Sequence, residues 1–541
     1  MRGVPSMEQV RQRNEQHNSR LPICSTPNEI LSEILDHAVH ADDDALATSM
    51  PECLAAVCRR FRSVAITTPS LWTNITFGVA WEDEPAFFHA DASYLDRSRG
   101  CSLDVNINWD HRSEEEKEGK LFHDADDEAD PERETHWIAQ SSVERAIDLL
   151  KPHLARVRTF HLEVEVFSVH HTFIKAFSGH AVPRLEVLEL LCTKLFAQGW
   201  RFDPSPLATP LALFNGQMPR LRHASFFGVH IDWDSTLLRD LRSLTFAHHA
   251  GEVQPSLRAF HAIMAASPLL AKLEILGSGV NVDPVEQLPP CTPAPRVERL
   301  ALKWADAPFL ETLFAFFPMA NVRRLALSDC AGNAAAAHAL LERVATRWPG
   351  LVELELERIF FSSEEHFASV LARLPALESL TLDHAGSARG VLAALARHST
   401  PVVPRLRELH LLNGSDAEVS DVVCYIDHRA ARGYAPLERA SVVQPDFDSE
   451  DAEDVRVLLG PSGQPVGKVS CEEAGWQWKW NALSYGELTD KDSDEDYDAA
   501  SSTDIDSAPW GSASEPGTPD LGDIPAPAAS FHGKLIDMLA V

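Results

Sequence analysis

The stretches ANVRRLAL (residues 320–327), PGLVELEL (349–356) and PALESLTL (375–382) contain the pattern that decides the fold of this 541-residue chain. Each ends in a unit of the form Leu-x-x-Leu-x-Leu, in which valine sometimes replaces the first leucine. Alternate residues of a β-strand point to the same side, so the last two apolar residues would face a core and the residues between them would not. The pattern therefore predicts short strands that are buried on one face.

The same unit occurs eleven times from residue 150 onward, at spacings of 20 to 36 residues with a mean of 28. This period resembles that of the longer leucine-rich repeats. The first apolar residues of the eleven units are Val157, Leu185, Leu221, Leu241, Leu270, Val297, Val322, Leu351, Leu377, Leu406 and Leu437.

The segments between these units have helical periodicity. One apolar stripe comprises Ala337, Leu340, Leu341, Val344 and Trp348, and prolines such as Pro349 and Pro375 end a helix before the next strand. Strand plus helix in about 28 residues predicts an α/β solenoid of stacked β–α units with a parallel sheet. Segments 71–77 and 101–107 are expected to start that sheet.

Polar residues alternate with the apolar residues of the predicted strands, and they would line the concave side of the solenoid. This set comprises Glu189, Glu274, Lys303, Ser328, Glu355, Asp383, His384 and His410. Two interpretations remain open, a solvated face or a surface that binds a protein partner.

Two shorter patterns near the N-terminus predict amphipathic helices. In residues 28–39, apolar residues recur at helical spacing, and a second apolar pattern on one face covers residues 54–65, before Pro69 ends the helical run. Helices this short cannot bury their apolar faces alone. They need a partner helix, a neighbouring domain, or both.

The strings ICSTPNEILSEIL (residues 23–35) and VCRRFRSVAITTPSLW (57–72) together resemble the F-box-like domain that is common in fungal proteins. The resemblance covers residues 23–76. It departs from the usual motif at Thr26, where the family has leucine, and at Phe61, where it has tryptophan.

In that family the domain docks on a Skp-type adaptor of cullin–RING ubiquitin ligases, so the resemblance implies the same partner here. The alternative is that these helices only cap the next domain. The adaptor-binding residues that the resemblance implies are Pro27, Ile30, Leu31, Ile34, Leu35, Leu54, Val57, Cys58, Phe61, Leu71 and Trp72.

Composition and charge argue against several classes of function. The formal net charge is −32, and a field of that sign repels the phosphates of nucleic acids and of anionic membrane surfaces. No run of about 18 apolar residues predicts a membrane span, and the N-terminus lacks the apolar core of a signal peptide. Nine scattered cysteines without a Cys-x-x-Cys pair predict a reduced compartment, the cytoplasm and/or the nucleus.

No sequence motif of an enzyme or a cofactor site is present. The chain has no phosphate-binding Gly-x-x-x-x-Gly-Lys-Ser/Thr loop, no Gly-x-Ser-x-Gly elbow and no His-Glu-x-x-His helix. The pairs His170–His171 and His248–His249 have no evident partner ligands, and we interpret them as surface or loop histidines. The sequence therefore predicts a protein that is not an enzyme and that needs no cofactor or metal.

The expected organisation has four parts. Residues 1–20 are a disordered lead, 21–76 an F-box-like helical domain, 77–485 a leucine-rich-repeat solenoid with an acidic insertion at 111–136, and 486–541 a disordered acidic tail. The alternation in WQWKW (476–480) predicts an edge strand that caps the solenoid.

The predicted function is the recruitment of a protein substrate to a ubiquitin ligase. Two alternative functions remain open: a ligase-independent scaffold, and an enzyme whose active-site residues are far apart in the sequence.

Overall fold

A computed structural model describes most of the chain between residues 20 and 442, and short segments outside these limits. The described residues are 12–13, 16–18, 20–40, 50–77, 87–109, 140–164, 167–192, 207, 209–249, 251–281, 296–305, 307–412, 417, 419–442, 456–459 and 465–469. The acidic insertion, the WQWKW strand, the acidic tail and most of the N-terminal lead lie outside them.

Thirteen strands form one parallel sheet that is not closed, and their order in the sheet is their order in the chain. Leu354 lies between Leu325 and Leu380, and Leu356 lies between Leu327 and Leu382, as equivalent positions of successive repeats should. The predicted parallel sheet is therefore confirmed. The strands are β1 (Asn74–Phe77), β2 (Leu103–Trp109), β3 (Val157–Val164), β4 (Val187–Cys192), β5 (His223–Phe227), β6 (Ser243–Ala247), β7 (Lys272–Leu276), β8 (Arg299–Lys303), β9 (Arg324–Ser328), β10 (Glu353–Glu357), β11 (Ser379–Asp383), β12 (Glu408–Leu412) and β13 (Arg439–Val442).

Helices precede the sheet and connect many of its strands. They are α1 (Pro22–Ser25), α2 (Asn28–His40), α3 (Met50–Val57), α4 (Arg59–Thr67), α5 (Phe87–Arg97), α6 (Gln140–Leu150), α7 (Phe167–Phe177), α8 (Leu257–Ala266), α9 (Ala307–Phe316), α10 (Ala334–Arg347), α11 (Glu364–Leu371), α12 (Ala388–Arg397) and α13 (Val419–Ala431). Short 3-10 helices cover Pro69–Trp72, Lys151–Arg156, Leu213–Gly216 and Gly251–Val253. Two further strands, β14 (Arg456–Leu459) and β15 (Pro465–Val469), form a separate antiparallel pair.

The prediction of a helix in every repeat is wrong for the connection between β5 and β6. This is the shortest repeat, and its residues 228–242 contain no helix because there is too little chain for one. Four buried apolar side chains occupy the position that a helix takes in the other repeats: Val229, Ile231, Trp233 and Leu238.

One hydrophobic core runs along the whole array. The first apolar residues of all eleven predicted units are buried, and the predicted stripe on α10 is buried as well. The same core continues from Leu31 in α2 to Ala440 in β13. The N-terminal helices and the sheet therefore share one interior.

The chain leaves the sheet by the same backbone turn after seven successive strands, β5 to β11. The residue after each of these strands has a positive φ: Gly228, His248, Gly277, Trp304, Asp329, Arg358 and His384. Its backbone N–H donates to the last carbonyl of the next strand, as Arg358 does to Asp383 at 2.8 Å. Each turn therefore adds one hydrogen bond to the sheet. Where the residue is not glycine, its positive φ costs about 1 kcal/mol of conformational free energy.

Candidate functional site

The first of the two predicted N-terminal helices is α2. The second predicted helix is divided in the structure into two helices, α3 and α4. Cys58 is extended, with φ −159°, and it separates Val57 from Arg59. The single apolar pattern over residues 54–65 is therefore interrupted, and its apolar side chains do not lie on one continuous helix.

Arg60 joins the two motifs that carry the resemblance. Its guanidinium donates to the backbone carbonyls of Cys24 and Thr26, and at 3.0 Å to the side-chain oxygen of Asn28. The Cys24 and Thr26 carbonyls, at the end of α1, thus accept from a side chain of α4. This contact joins the Thr-Pro-Asn segment to the Cys-Arg-Arg segment.

Helix α2 has a wide apolar arc, and the core covers only half of it. Leu31, Leu35 and Val39 are buried, whereas Ile30 is 46% exposed and Ile34 is 42% exposed. Residues four apart lie on the same side of a helix, so Ile30 and Ile34 form a second apolar stripe beside the buried one. That stripe is free to contact another molecule.

The structure divides the eleven predicted adaptor-binding residues into three groups by exposure. Leu31, Leu35, Leu71 and Trp72 are buried, Leu54, Cys58 and Phe61 are partly exposed, and Pro27, Ile30, Ile34 and Val57 are exposed. A buried side chain supports the helices and cannot offer surface to a partner without unfolding.

Large exposed apolar side chains are concentrated on the N-terminal helices. Among the residues whose side chains are described, eight are exposed, and five of them precede residue 67: Leu21, Ile30, Ile34, Val57 and Ile66. We call these five the exposed apolar set.

Trp72 fixes the N-terminal helices to the first repeat. Its indole N–H donates to the Ala65 carbonyl at 2.8 Å, its ring meets the Tyr94 ring edge-on at 4.8 Å, and the Arg97 guanidinium lies 4.3 Å from the ring centroid. Tyr94 and Arg97 belong to α5, which leads into β2. The helices are therefore attached rigidly to the sheet.

The second candidate surface is the sheet face opposite the leucine core, which we call the polar face. Its side chains come from the strand residues between the buried leucines, as the sequence predicted. The middle position of each strand from β3 to β13 contributes in turn His161, Glu189, Ser225, Thr245, Glu274, Ala301, Ala326, Glu355, Thr381, His410 and Ser441.

His161 is held between two carboxylates on the polar face. Its Nδ1 lies 2.8 Å from Glu189 Oε2 and its Nε2 lies 3.4 Å from Glu163 Oε2. Burial lowers the pKa of His161, but the hydrogen bonds and charges of Glu163 and Glu189 outweigh burial and raise it to about 9. The imidazolium is therefore the dominant form at neutral pH.

We expect His161→Gln to destabilise the protein below pH 6.5 but not above pH 9. Because the folded pKa exceeds the unfolded value, the stabilisation is complete below the unfolded pKa of about 6.5 and is lost as the pH rises through about 9. The difference in unfolding free energy at pH 6 should be roughly 2–3 kcal/mol. Urea unfolding of both proteins from pH 6 to 10 measures it, and a difference independent of pH would contradict this assignment.

The interpretation of the histidine pairs as surface or loop residues is wrong for His170 and His171, which lie in helix α7. His248 and His249 do lie in the connection after β6, but they are not on the surface. His170, His171, His248 and His249 are all buried. Burial is the main cause that lowers the pKa of His170, His248 and His249 to about 3, so these three imidazoles are neutral. His248 packs between the rings of Phe227 and Trp304, at centroid distances of 4.7 and 5.0 Å.

The described residues contain neither a cluster of metal ligands nor a helix that could span a membrane. No three histidine, cysteine, aspartate or glutamate side chains lie close enough together there to bind a metal ion. Every helix in the described part of the chain is too short or too polar to cross the hydrocarbon core of a bilayer.

The chain was also compared with known proteins. A scan against protein-family models finds no matching family, and a search of curated proteins finds no matching relative.

Proposed function

We propose that the protein is an F-box substrate-recognition subunit of a Skp–cullin–RING ubiquitin ligase. In this proposal α1–α4 dock on a Skp-type adaptor, and the polar face of a leucine-rich-repeat solenoid holds a protein substrate. Partner enzymes would catalyse the transfer of ubiquitin, and this chain would only bind and position the substrate. The resemblance of residues 23–76 suggests the partner.

The observation that carries the proposal is the division of α2 into a buried and an exposed apolar half. A helix that only capped the sheet would need Leu31, Leu35 and Val39, which the core covers. Capping does not require exposed isoleucines, which cost free energy when they face water. Ile30 and Ile34 therefore favour adaptor docking over capping alone.

Adaptor binding should depend on the exposed half of the helices. We expect the double variant Ile34→Asp, Val57→Asp to lose binding to a purified Skp-type adaptor. A charge placed in a desolvated interface costs several kcal/mol, on the order of a thousandfold in affinity. Isothermal titration calorimetry of the full chain against the adaptor measures the loss.

The matched control is Leu269→Asp, because Leu269 is 53% exposed but lies outside the N-terminal helices. This variant should bind the adaptor like the wild type. Equal affinities for the double variant and the wild type would refute docking through the exposed apolar set. Absence of binding by the wild-type chain would refute the proposed function itself.

A further inference from the structure

Part of the polar face is lined by small residues next to a carboxylate. Ala301 and Ala326 occupy the middle positions of β8 and β9, and Glu355 follows at the same position of β10. Thr381 flanks Glu355 on the other side, in β11. Ala301 and Thr381 are buried, but Ala326 is partly exposed and its side chain ends at Cβ, so no long side chain occupies the position beside Glu355 in β9.

The carboxylates around Glu355 already have basic partners. Glu353 pairs with Arg324 at 3.5 Å, and Glu357 pairs with Lys303 at 3.4 Å and with Arg358 at 3.1 Å. Asp383 pairs with the imidazole of His384 at 2.9 Å.

Glu355 is different from these neighbours. No basic group in the described part of the chain lies within ion-pair distance of its carboxylate. The side chain is nevertheless half-buried, and a half-buried carboxylate without a partner is costly. Glu355 therefore has unused capacity to accept hydrogen bonds from a cation.

The neighbouring strand holds a polar atom without a hydrogen-bond partner. Ser328 is 4% exposed, shares the polar face with Ala326, and its Oγ makes no hydrogen bond. It lies in register with Glu357 in β10, one residue pair further along the same face than Ala326 and Glu355. Buried hydroxyls are nearly always hydrogen-bonded, so the unpaired Ser328 hydroxyl is a second group on this face with unused capacity for a hydrogen bond.

We propose that this region binds a lysine or arginine side chain from a basic segment of a partner protein. We call the region the cation slot and define it by Ala326, Ser328, Glu355 and Thr381. The incoming cation would donate to the Glu355 carboxylate, and the Ser328 hydroxyl would accept a further hydrogen bond. This deepens the proposed function and rests on it, because the basic segment would belong to the protein substrate.

The protonation of Glu355 gives the binding step a distinctive signature. Burial, followed by the negative charges of Glu357, Glu353 and Asp383, raises the pKa of Glu355 to about 8, although Lys303 acts in the opposite direction. The free carboxyl is therefore mostly protonated at pH 7. The charged and titratable groups that face it from the neighbouring strands are Lys303 (β8), Arg324 (β9), Glu353 and Glu357 (β10), Asp383 (β11) and His410 (β12).

A bound cation favours the ionised carboxylate, so binding at pH 7 must release a proton. At pH 9 the carboxylate is already ionised and no release should occur. The number of protons released at pH 7 should be close to one per site, because pH 7 is about one unit below the pKa of the free Glu355 carboxyl.

The test is a selection of random twelve-residue display peptides on the full-length chain. On the wild type, the selected peptides should share a lysine or arginine at one fixed position. On Glu355→Gln that preference should vanish. On Glu274→Gln it should persist, because Glu274 lies on the same face but already has Lys272 at 2.9 Å and the Thr245 hydroxyl at 2.9 Å.

The most enriched peptide is then measured by isothermal titration calorimetry. Glu355→Gln should weaken it about ten- to a hundredfold, the effect of one charge-assisted hydrogen-bonded pair. The dependence of the binding enthalpy on buffer ionisation should report proton release at pH 7 for the wild type alone.

Three results would overturn the cation slot. These are a selection that enriches no peptide on the wild type, enriched peptides without a fixed basic position, and equal affinity of the Glu355→Gln variant. None of these results involves the adaptor. A chain that binds the adaptor but fails here retains the proposed function and loses only this assignment, whereas a chain that fails the adaptor titration loses the proposed function.

Discussion

Leu35→Asp is expected to unfold the N-terminal helices, whereas Ile34→Asp, one residue earlier, leaves them folded. Leu35 is 1% exposed and belongs to the shared core, so an aspartate there buries an unpaired carboxylate and removes apolar contacts. The two effects together cost more than about 4 kcal/mol, more than a few short helices can sustain. At Ile34 the aspartate remains in water and costs less than about 1 kcal/mol.

Hydrogen–deuterium exchange of peptides from residues 28–73 distinguishes the two variants. The Leu35→Asp chain should lose protection there and keep it in β8 to β12, and the Ile34→Asp chain should match the wild type in both. If the two variants were equally protected from exchange, the burial of Leu35 and the exposure of Ile34 would be contradicted. This comparison also ensures that a loss of adaptor binding at Ile34 is not an unfolding effect.

Arg429→Met is expected to detach the last strand of the sheet. Arg429 is 2% exposed, and its guanidinium donates to the carbonyls of Val403 at 3.1 Å, Leu406 at 2.9 Å and Ala435 at 2.9 Å. Methionine has a similar length but no donor, so all three carbonyls lose the guanidinium, and in the described part of the chain only Val403 keeps another donor, the Leu406 backbone N–H at 3.1 Å. Hydrogen bonds from a charged donor contribute about 1.5–3 kcal/mol each, so the local loss is several kcal/mol.

The matched control for this position is Arg432→Met. Arg432 follows the same helix α13 but is exposed, and its guanidinium donates to the carbonyls of His398 at 3.0 Å and Ala396 at 3.4 Å and to the Tyr434 hydroxyl at 3.5 Å. Its replacement should change little. We expect faster hydrogen–deuterium exchange in β13 for Arg429→Met and not for Arg432→Met. Unchanged exchange in β13 of the Arg429→Met chain would contradict the structural role of this arginine.

The sequence was sufficient to predict the sheet because the repeat pattern is local. Each Leu-x-x-Leu-x-Leu unit determines which residues face inward, and eleven units at a similar spacing leave stacking of parallel strands as the way to bury all of them. Residues such as Leu325 and Leu354 therefore lie side by side as predicted. The connection between β5 and β6 has the shortest spacing, and the sequence did not predict that it lacks a helix.

The sequence could not distinguish the two halves of the apolar arc of α2. Ile34 and Leu35 are equally apolar and adjacent, and only the direction from which the core approaches makes one exposed and the other buried. Cys58 was hidden for a related reason, since its apolar neighbours continue the helical pattern through the break. The hydrogen bonds of Arg60 depend on a contact across more than thirty residues.

The site on the polar face was predicted only as a set of residues. Glu355 appeared beside Glu274 and Asp383 as one carboxylate among several. What separates it is the identity of its neighbours on adjacent strands, alanine on one side and threonine on the other, and those neighbours are known only once the register is known. The burial of the histidine pairs was not predicted, because polarity alone suggested the surface.

The strict correspondence between chain order and strand order also bears on how the protein is made. Each strand hydrogen-bonds only to the strands formed immediately before and after it, so no strand must wait for a distant partner to be translated. The N-terminal helices leave the ribosome before the sheet does and give β1 and β2 an interior to pack against, and every later repeat packs on the repeat before it. Synthesis and assembly can therefore proceed in the same direction, and a ribosome that stalls midway leaves a shorter sheet whose completed strands are already paired.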